Sequence, residues 1–361
     1  MFRVWATTDQ RLPLSQLGAH AQRAERLGYD GLLVPEAVHD GLLAAGRALA
    51  ATTRLRVATA VLVAFPRSPM TVAQAAWDLQ EASGGRFELG LGSQVRGNLE
   101  GRYSTAWAPP VPRMREYVRA LRAIFARWQE GTPLAFEGEH YRFTRMQPFF
   151  DPGPLPCGPP SIWLGAVGPA MTALAGEVAD GLIAHPTHSS PRYLREVALP
   201  RLARGASRAG RSAAAVELRA GPLVATGTDA SAVADRREWA RGLLGFLYST
   251  PSYAPSLALF GWKERGDALR EHARAGRWQA MKALVDDAML DAFVPSGTYD
   301  EIVGVLETAY GGVCREIGFP LPDDPDEDGA VTAVVARLRG AVGPPGTRLR
   351  GAVGPPGTAT R

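Results

Sequence analysis

The chain has 361 residues, of which 46% are hydrophobic and 21% charged, and this balance excludes a small disulfide-rich module, a fibrous repeat and a globally disordered protein. The formal net charge is +4, and the five arginines after residue 336 are matched by five acidic residues between 323 and 328. The remaining excess is spread thinly, without a dense basic stripe, so the sequence disfavours nucleic-acid binding.

Short apolar runs alternate with helical patterns over the first 91 residues. The runs predict strands at residues 2–7, 31–35, 55–63 and 86–91, and the patterns between them predict helices at 14–27, 42–51 and 71–82. The valine-rich run at 55–63 has few polar breaks, which is typical of a strand buried on both faces of a parallel sheet.

Two longer insertions interrupt the alternation after residue 92. The first contains a predicted helix at 113–128 and a hairpin at 136–143, and the second, at about 228–288, is largely helical. Further strands are predicted at 161–166, 181–185, 216–226 and 290–294, with helices at 169–178, 191–208 and 299–317. Eight strand and helix pairs predict an α/β fold, a (β/α)8 TIM barrel with helical insertions over residues 1–320. An open doubly wound sheet is disfavoured because residues 7–10 contain no glycine-rich nucleotide turn.

Residues 321–361 are predicted to form a disordered tail. An acidic run comes first, and then the segment at 337–347, RLRGAVGPPGT, recurs unchanged at 348–358. Two short copies rich in Arg, Gly and Pro cannot form a packed repeat unit.

Cysteine usage and hydropathy predict the compartment. Cys157 and Cys314 suit neither a disulfide framework nor a zinc-ligand cluster. No run of 18 apolar residues occurs, and the first ten residues lack the pattern of a signal peptide. We therefore expect a cytoplasmic protein with no membrane partner and no metal site.

The candidate site residues follow the predicted strands, because the active site of a barrel lies at the carboxyl ends of its strands. Glu36 and His39 are an acid and an imidazole close together, which suits general acid–base chemistry; alternatively, Glu36 binds loop backbone and His39 caps the next helix. The turn formed by Ala166, Val167 and Gly168 offers backbone amides to a phosphate. The remaining candidates are expected to line the substrate pocket, either from the barrel strands or from the helical lid: Trp5, His185, His188 and Tyr248. Packing between helices is the alternative for Tyr248.

A family resemblance rests on the run SGGRFELGLG at residues 83–92, with GYDG at 28–31 and AGEVADG at 175–181. These segments resemble the bacterial luciferase-like flavin and deazaflavin oxidoreductases over about residues 1–320. Pro35-Glu36, His39-Asp40 and the segment at 166–169 are similar to their coenzyme F420-dependent subgroup.

The resemblance implies a barrel that holds a tricyclic ring at the carboxyl ends of its strands and transfers a hydride between coenzyme F420 and a small organic substrate. It further implies a cis peptide bond between Ala60 and Val61, cofactor contacts from these two residues and from Ser93 and Asn98, and a homodimer. Two alternatives stay open: an FMN-dependent monooxygenase of the same fold, and a barrel that binds a cofactor without catalysis. The substrate is not implied, because Ala37 and Val95 stand where the family often has histidine and glutamate.

Overall fold

A closed parallel sheet forms the centre of the protein. The computed structural model describes residues 1–340, and in it nine strand segments join in the order β3-β2-β1-β11-β10-β9-β8-β5-β4, with β3 also pairing to β5. Because β3 and β4 are two parts of one interrupted strand, the sheet is an eight-stranded barrel, and the predicted fold is confirmed. The barrel strands are β1 Arg3–Thr7, β2 Gly31–Val34, β3 Arg56–Thr59, β4 Leu62–Val63, β5 Phe87–Gly92, β8 Ser161–Ala166, β9 Gly181–Ala184, β10 Glu217–Ala220 and β11 Glu316–Gly318. A separate hairpin contains β6 Phe136–Glu137 and β7 Arg142–Phe143, as predicted.

Helices surround the barrel and cover its outer apolar surface. The amphipathic pattern of α5 is representative, since Tyr117, Leu121 and Trp128 are buried on one face and Gly131 ends the helix in the left-handed conformation. The helices of the barrel layer are α1 Leu14–Arg26, α2 Gly41–Ala51, α3 Pro69–Ala82, α4 Arg96–Gly101, α5 Pro110–Glu130, α6 Pro169–Val178, α7 Pro191–Tyr193, α8 Leu199–Arg208, α14 Ile302–Tyr310 and α15 Asp328–Arg339. A π-helical turn, Leu194–Ala198, joins α7 to α8, so the helix predicted at 191–208 is continuous.

The second insertion is helical, as predicted, and has a core of its own. It contains α9 Ala230–Tyr248, α10 Ala254–Leu259, α11 Lys263–Arg274, α12 Trp278–Ala283 and α13 Asp287–Phe293. Leu244, Tyr248, Met281 and Phe293 belong to a buried apolar cluster distinct from the main one around the barrel. The insertion therefore packs largely by its own side chains.

The eighth strand is not where the sequence predicts it. Residues 290–294 lie mostly in α13, whose N-terminus is capped by the Asp286 side chain bonded to the Met289 amide. The last barrel strand, β11, instead overlaps the last two residues of the helix predicted at 299–317 and ends at Gly318. It has only three residues, which is too short for an apolar run to indicate a strand.

The predicted domain end at residue 320 is also wrong. Helix α15 follows the acidic run and buries valines and a leucine at helical spacing against the barrel: Val331, Val334, Val335 and Leu338. The Phe2 amide donates to the Leu338 carbonyl at 2.9 Å, which ties the helix to the first strand. The first part of the repeat is thus helical, and residues 341–361 lie outside the described part of the chain.

A buried arginine fills the lower interior of the barrel. Arg219 on β10 is 0% exposed, and its guanidinium donates to Glu316 and to Glu88, each at 2.6 Å. The rings of Trp5 and Trp163 lie 3.5 and 4.1 Å from the guanidinium carbon. Trp5 therefore belongs to the floor of the barrel, and its prediction as a substrate-pocket residue is wrong. The Trp5 ring occupies the space beside Gly31, where a Cβ would lie 2.2 Å from a ring carbon.

We expect Arg219→Met to lower the free energy of unfolding by about 1–3 kcal/mol, because Glu88 and Glu316 would each lose a buried guanidinium partner and keep only Arg56 and Arg3, respectively. Urea denaturation measures the change. Arg142→Met is the matched control, since Arg142 meets Glu137 at 3.4 Å on the surface and should contribute less than about 0.5 kcal/mol. Equal losses in the two variants would contradict a supporting role for Arg219.

Candidate functional site

A bulge after β3 shapes the carboxyl end of the barrel. The peptide bond between Ala60 and Val61 is cis, as the resemblance implies. A Cβ at Gly92 would lie 2.3 Å from a Val61 methyl carbon, and one at Gly165 would lie 2.8 Å from the other. The glycines on β5 and β8 therefore leave room for Val61. Thr59 fixes the start of the bulge, since its hydroxyl donates to the Gly90 carbonyl at 2.8 Å and accepts from the Gly90 amide at 2.9 Å.

Glu36 anchors the far side of this bulge. Its carboxylate accepts the Val63 amide at 2.6 Å and two guanidinium nitrogens of Arg67 at 2.5 and 3.0 Å. The Glu36 side chain is only 5% exposed. Both carboxylate oxygens accept hydrogen bonds, so the geometry favours a role for Glu36 in positioning the bulge. This role resembles the alternative in which Glu36 binds loop backbone. Sequence reasoning missed Arg67, which lies 31 residues away from Glu36.

Asp40 and His39 follow Glu36. Asp40, not His39, caps α2, with its oxygen accepting the Leu42 and Leu43 amides. Burial alone would raise the pKa of Asp40, but the bond from the Leu43 amide and the ion pair with Arg67 outweigh it and lower the pKa. His39 is half-buried and makes no side-chain hydrogen bond to another residue within 1–340. Its acid–base role stays a prediction.

After β5 come the predicted residues Ser93, in the loop, and Asn98, in α4, both half-buried. Between them Gln94 adopts a left-handed backbone with φ 60, which is uncommon for a residue other than glycine. The side-chain oxygen of Gln94, Oε1, accepts from the backbone amide of Val95 at 2.9 Å and from the side-chain amide of Asn98 at 3.1 Å. This local network orients Asn98, and sequence reasoning gave no sign of Gln94.

The turn of Ala166, Val167 and Gly168 leads from β8 into α6. Gly168 occupies the N-cap position without a side-chain cap, Pro169 opens the helix, and the first turn contains no acidic residue. The amides at this N-terminus have no side-chain acceptor, and a helix N-terminus attracts anions. Phosphate binding at this turn stays a prediction.

Two histidines meet on the loop after β9. His185 Nδ1 and His188 Nδ1 each lie 2.8 Å from the Thr187 hydroxyl, and the His185 ring stacks on Tyr253 at 4.6 Å. Burial lowers the pKa of His185 to about 4 and that of His188 to about 3, and the neighbouring His185 lowers the latter further. Both imidazoles are thus neutral near pH 7. Thr187, which joins them, has no signal in the sequence.

Tyr248 supports this loop from behind. It is 1% exposed, packs against Phe293 at 5.2 Å and donates its hydroxyl to the Thr187 carbonyl at 3.0 Å. The prediction that Tyr248 lines the pocket is therefore wrong, and the helix-packing alternative describes it. Tyr253, on the same insertion, is the residue that reaches His185.

The candidate residues thus lie on loops that follow the ends of β2, β3, β5, β8 and β9, at one end of the barrel, while Trp5 and Tyr248 are placed elsewhere. A depression of about 440 Å³ beside Arg241 and Lys282 lies on the outer insertion helices and contains none of the predicted site residues. Among residues 1–340 no group of three His, Cys, Asp or Glu side chains is placed to hold a metal ion. In the same range no helix has the length and apolar character needed to cross a membrane.

Comparison with known proteins identifies the family and the relatives of this chain. The sequence profile of the luciferase-like monooxygenase family matches residues 1–315. An uncharacterized protein of Mycobacterium tuberculosis is 44% identical over 312 residues, which cover 86% of this chain and 91% of that protein. The 5,10-methylenetetrahydromethanopterin reductase of Archaeoglobus fulgidus is 30% identical over 280 residues, covering 76% of this chain and 79% of the reductase. The solved coenzyme F420 dependent tetrahydromethanopterin reductase from Methanopyrus kandleri shares the fold, with a TM-score of 0.76 at 20% identity over 93% of this chain and 98% of that one.

We expect Glu36→Gln to lower the free energy of unfolding by about 1–3 kcal/mol, because the amide cannot reproduce the ion pair with Arg67. Hydrogen exchange of the Val63 amide should also accelerate in this variant, since that amide loses its charged acceptor. Glu100→Gln, at an exposed pair with Arg96, is the control. Unchanged stability together with unchanged Val63 exchange would contradict the positioning role.

We expect the free energy of unfolding to rise between about pH 4 and pH 6.5. The native imidazoles of His185 and His188 have pKa values of about 4 and 3, so the unfolded chain binds more protons across this range and acid favours unfolding. Replacing either histidine by asparagine should reduce the rise by on the order of 1 kcal/mol or more. Thermal denaturation from pH 4 to 8 measures it, with His140→Asn as the control. An unchanged pH slope in the two loop variants would refute buried neutral imidazoles.

Proposed function

Because the chain belongs to the luciferase-like monooxygenase family, we propose that this oxidoreductase uses coenzyme F420 and transfers a hydride between the deazaflavin and a small organic substrate. The observation that carries the proposal is the pairing of the glycine-bordered bulge at Val61 with the open N-terminus of α6 at the same end of the barrel. The coenzyme F420 dependent reductase that shares the fold supports the choice of cofactor.

The residues present fit such a cofactor. Because Gly92 on β5 and Gly165 on β8 have no side chain, Val61 packs between them. The Val61 side chain would then give a flat ring an apolar surface to lie against. Ala60, Val61, Ser93 and Asn98 would contact the ring system. The amides around Ala166, Val167 and Gly168 would hold the phosphate of its side chain. When bound, the deazaflavin supplies a carbon centre that accepts or donates a hydride.

The chain's own groups have distinct proposed tasks. Glu36 and Arg67 hold the bulge in place, and His39, whose imidazole is free of side-chain bonds to the described residues, is the proposed proton donor or acceptor. His185 and Tyr253 border the substrate side and, as parts of the second insertion and its facing loop, exclude water.

The runner-up is an FMN-dependent monooxygenase. FMN also combines a flat tricyclic ring with a phosphate, and the family description itself names a monooxygenase, so the same bulge and turn would hold it. A barrel that binds either cofactor without catalysis is the third candidate.

The partner and the compartment are also proposals. We propose that two copies associate through a depression of about 510 Å³ between α1, α2 and α3, lined by Leu14, Leu42, Leu43 and Leu79. Leu43 is 64% exposed there, and covering such a side chain favours association. Sedimentation equilibrium measures the mass in solution. A cytoplasmic location stays the prediction of the sequence.

Titration of the purified protein with F420 and with FMN, followed by absorbance and fluorescence, tests the cofactor. We expect F420 to bind and Gly92→Ala to weaken it by about tenfold or more, because the added methyl would displace Val61 from the bulge. Gly97→Ala is the matched control, since a Cβ there would meet no atom within 4 Å.

Three results would count against the proposal. Saturable binding of FMN alone favours the monooxygenase. Tight F420 binding without hydride transfer to a broad panel of carbonyl compounds, alcohols and enones favours the non-catalytic barrel. Equal F420 affinity in Gly92→Ala and Gly97→Ala would show that the bulge does not support the ring.

A further inference from the structure

Two residues other than glycine have a left-handed backbone within residues 1–340, Gln94 at φ 60 and Ser104 at φ 49. They lie on either side of α4, Arg96–Gly101. A residue with a Cβ is strained in this conformation, and the strain persists only where other contacts hold the residue in place. The exposed Ser104 side chain makes no hydrogen bond to another residue in this range, whereas the half-buried Gln94 side chain makes two.

The two hydrogen bonds of Gln94 determine how the Asn98 side-chain amide is turned. A backbone amide can only donate, so the Gln94 atom that meets the Val95 amide at 2.9 Å is the side-chain oxygen, Oε1. The Asn98 atom that lies 3.1 Å from this oxygen must then be the nitrogen, Nδ2. The other polar atom of the Asn98 amide, Oδ1, is therefore not used by Gln94.

The Oδ1 atom of Asn98 is open to a ligand. It accepts no hydrogen bond from any residue within 1–340, and it is not among the unpartnered side-chain atoms that are sealed from solvent. Asn98 as a whole is half-buried on α4. A carbonyl oxygen only accepts hydrogen bonds, so a ligand group that meets Oδ1 must bring an N–H or an O–H.

Gln94 connects this amide to the bulge at Val61. Strand β5 ends at Gly92, where the absent Cβ leaves room for Val61, and the Ala64 amide donates to the Gly92 carbonyl at 3.0 Å. Gln94 follows two residues later, and its left-handed turn leads the chain into α4 with Asn98. The strained residue thus lies between the surface proposed to support the ring and the amide proposed to contact it.

We propose that Gln94 is a positioning residue of the cofactor site, whose side-chain oxygen holds the Asn98 amide so that Oδ1 accepts a hydrogen bond from an N–H or O–H group of the bound ring. The proposal rests on the proposed function, in which Asn98 contacts the deazaflavin. The left-handed backbone of Gln94 is retained because only a side chain at this position can hold the Asn98 nitrogen, although a residue without a Cβ would be less strained.

Cofactor titration and thermal denaturation of the same full-length variants test the proposal. The probes are F420 and FMN, each followed by absorbance and fluorescence. Gln94→Ala keeps the backbone strain and Gln94→Gly relieves it, but both lose the bond to Asn98. We therefore expect both variants to bind the cofactor about tenfold more weakly than the wild type, and Gln94→Gly to melt about 1–3 °C above Gln94→Ala.

Two comparisons separate positioning from a merely structural role. Ser104→Gly is the matched control, because it relieves the same kind of strain beside α4 without removing a bond to Asn98, and its cofactor affinity should stay within about twofold of wild type. In a double-mutant cycle, adding Gln94→Ala to Asn98→Ala should cause no further loss of affinity, since Gln94 acts through that amide.

Three results would overturn the proposal: wild-type affinity in Gln94→Gly, additive losses in the cycle, and an equal loss of affinity in Ser104→Gly and Gln94→Gly. The same titration separates these results from failure of the proposed function. Binding of neither probe to the wild type removes the proposed function and, with it, the ligand of Asn98. Binding of either probe with unchanged affinity in the Gln94 variants removes the positioning role alone. If FMN alone binds, the cofactor assignment changes, and the same comparison made with FMN decides the role of Gln94.

Discussion

The barrel depends on one buried cation. Arg219 joins β10 to β5 through Glu88 and to β11 through Glu316, and the tryptophan rings of β1 and β8 enclose it. A guanidinium without these carboxylates would be costly to bury, and each carboxylate also pairs with a second arginine, Glu316 with Arg3 and Glu88 with Arg56. Five strands therefore share one closed set of contacts, which fills the interior below the carboxyl ends and leaves only the upper part of the barrel for a ligand.

The upper part is shaped by small residues in place of charges. Val61 takes the space that Gly92 and Gly165 leave, and Thr59 bonds both backbone groups of Gly90. The glycines in the run at 83–92 are thus needed for packing, in addition to marking the resemblance to the family. The buried ion pairs lie in the lower part of the barrel and the proposed cofactor site lies at the carboxyl ends of the strands, so we expect substitutions at the two ends of one strand to affect different properties.

Much of the fold could be predicted because seven strands have apolar runs that local pattern reveals. The eighth could not, since β11 has only three residues, too few for an apolar run to stand out beside the helix that precedes it. A different limit applies to the site. Glu36 and His185 were recognisable as reactive residue types, but Arg67 and Thr187 show their importance only through contacts in space. Helix α15 was not predicted for another reason: its valines lie between an acidic run and a repeat, and both of these patterns suggest disorder.

The pairing of the two ends of the described chain has a consequence for synthesis. β1 pairs with β11, and the Phe2 amide donates to the Leu338 carbonyl, so β1 is synthesised long before the strand that completes its pairing. Contacts between residues this distant in sequence close a very long loop, and this slows the completion of the barrel. Until then Arg219 lacks its partner Glu316, and an unfinished barrel exposes an open sheet edge to which chaperones or other chains can bind.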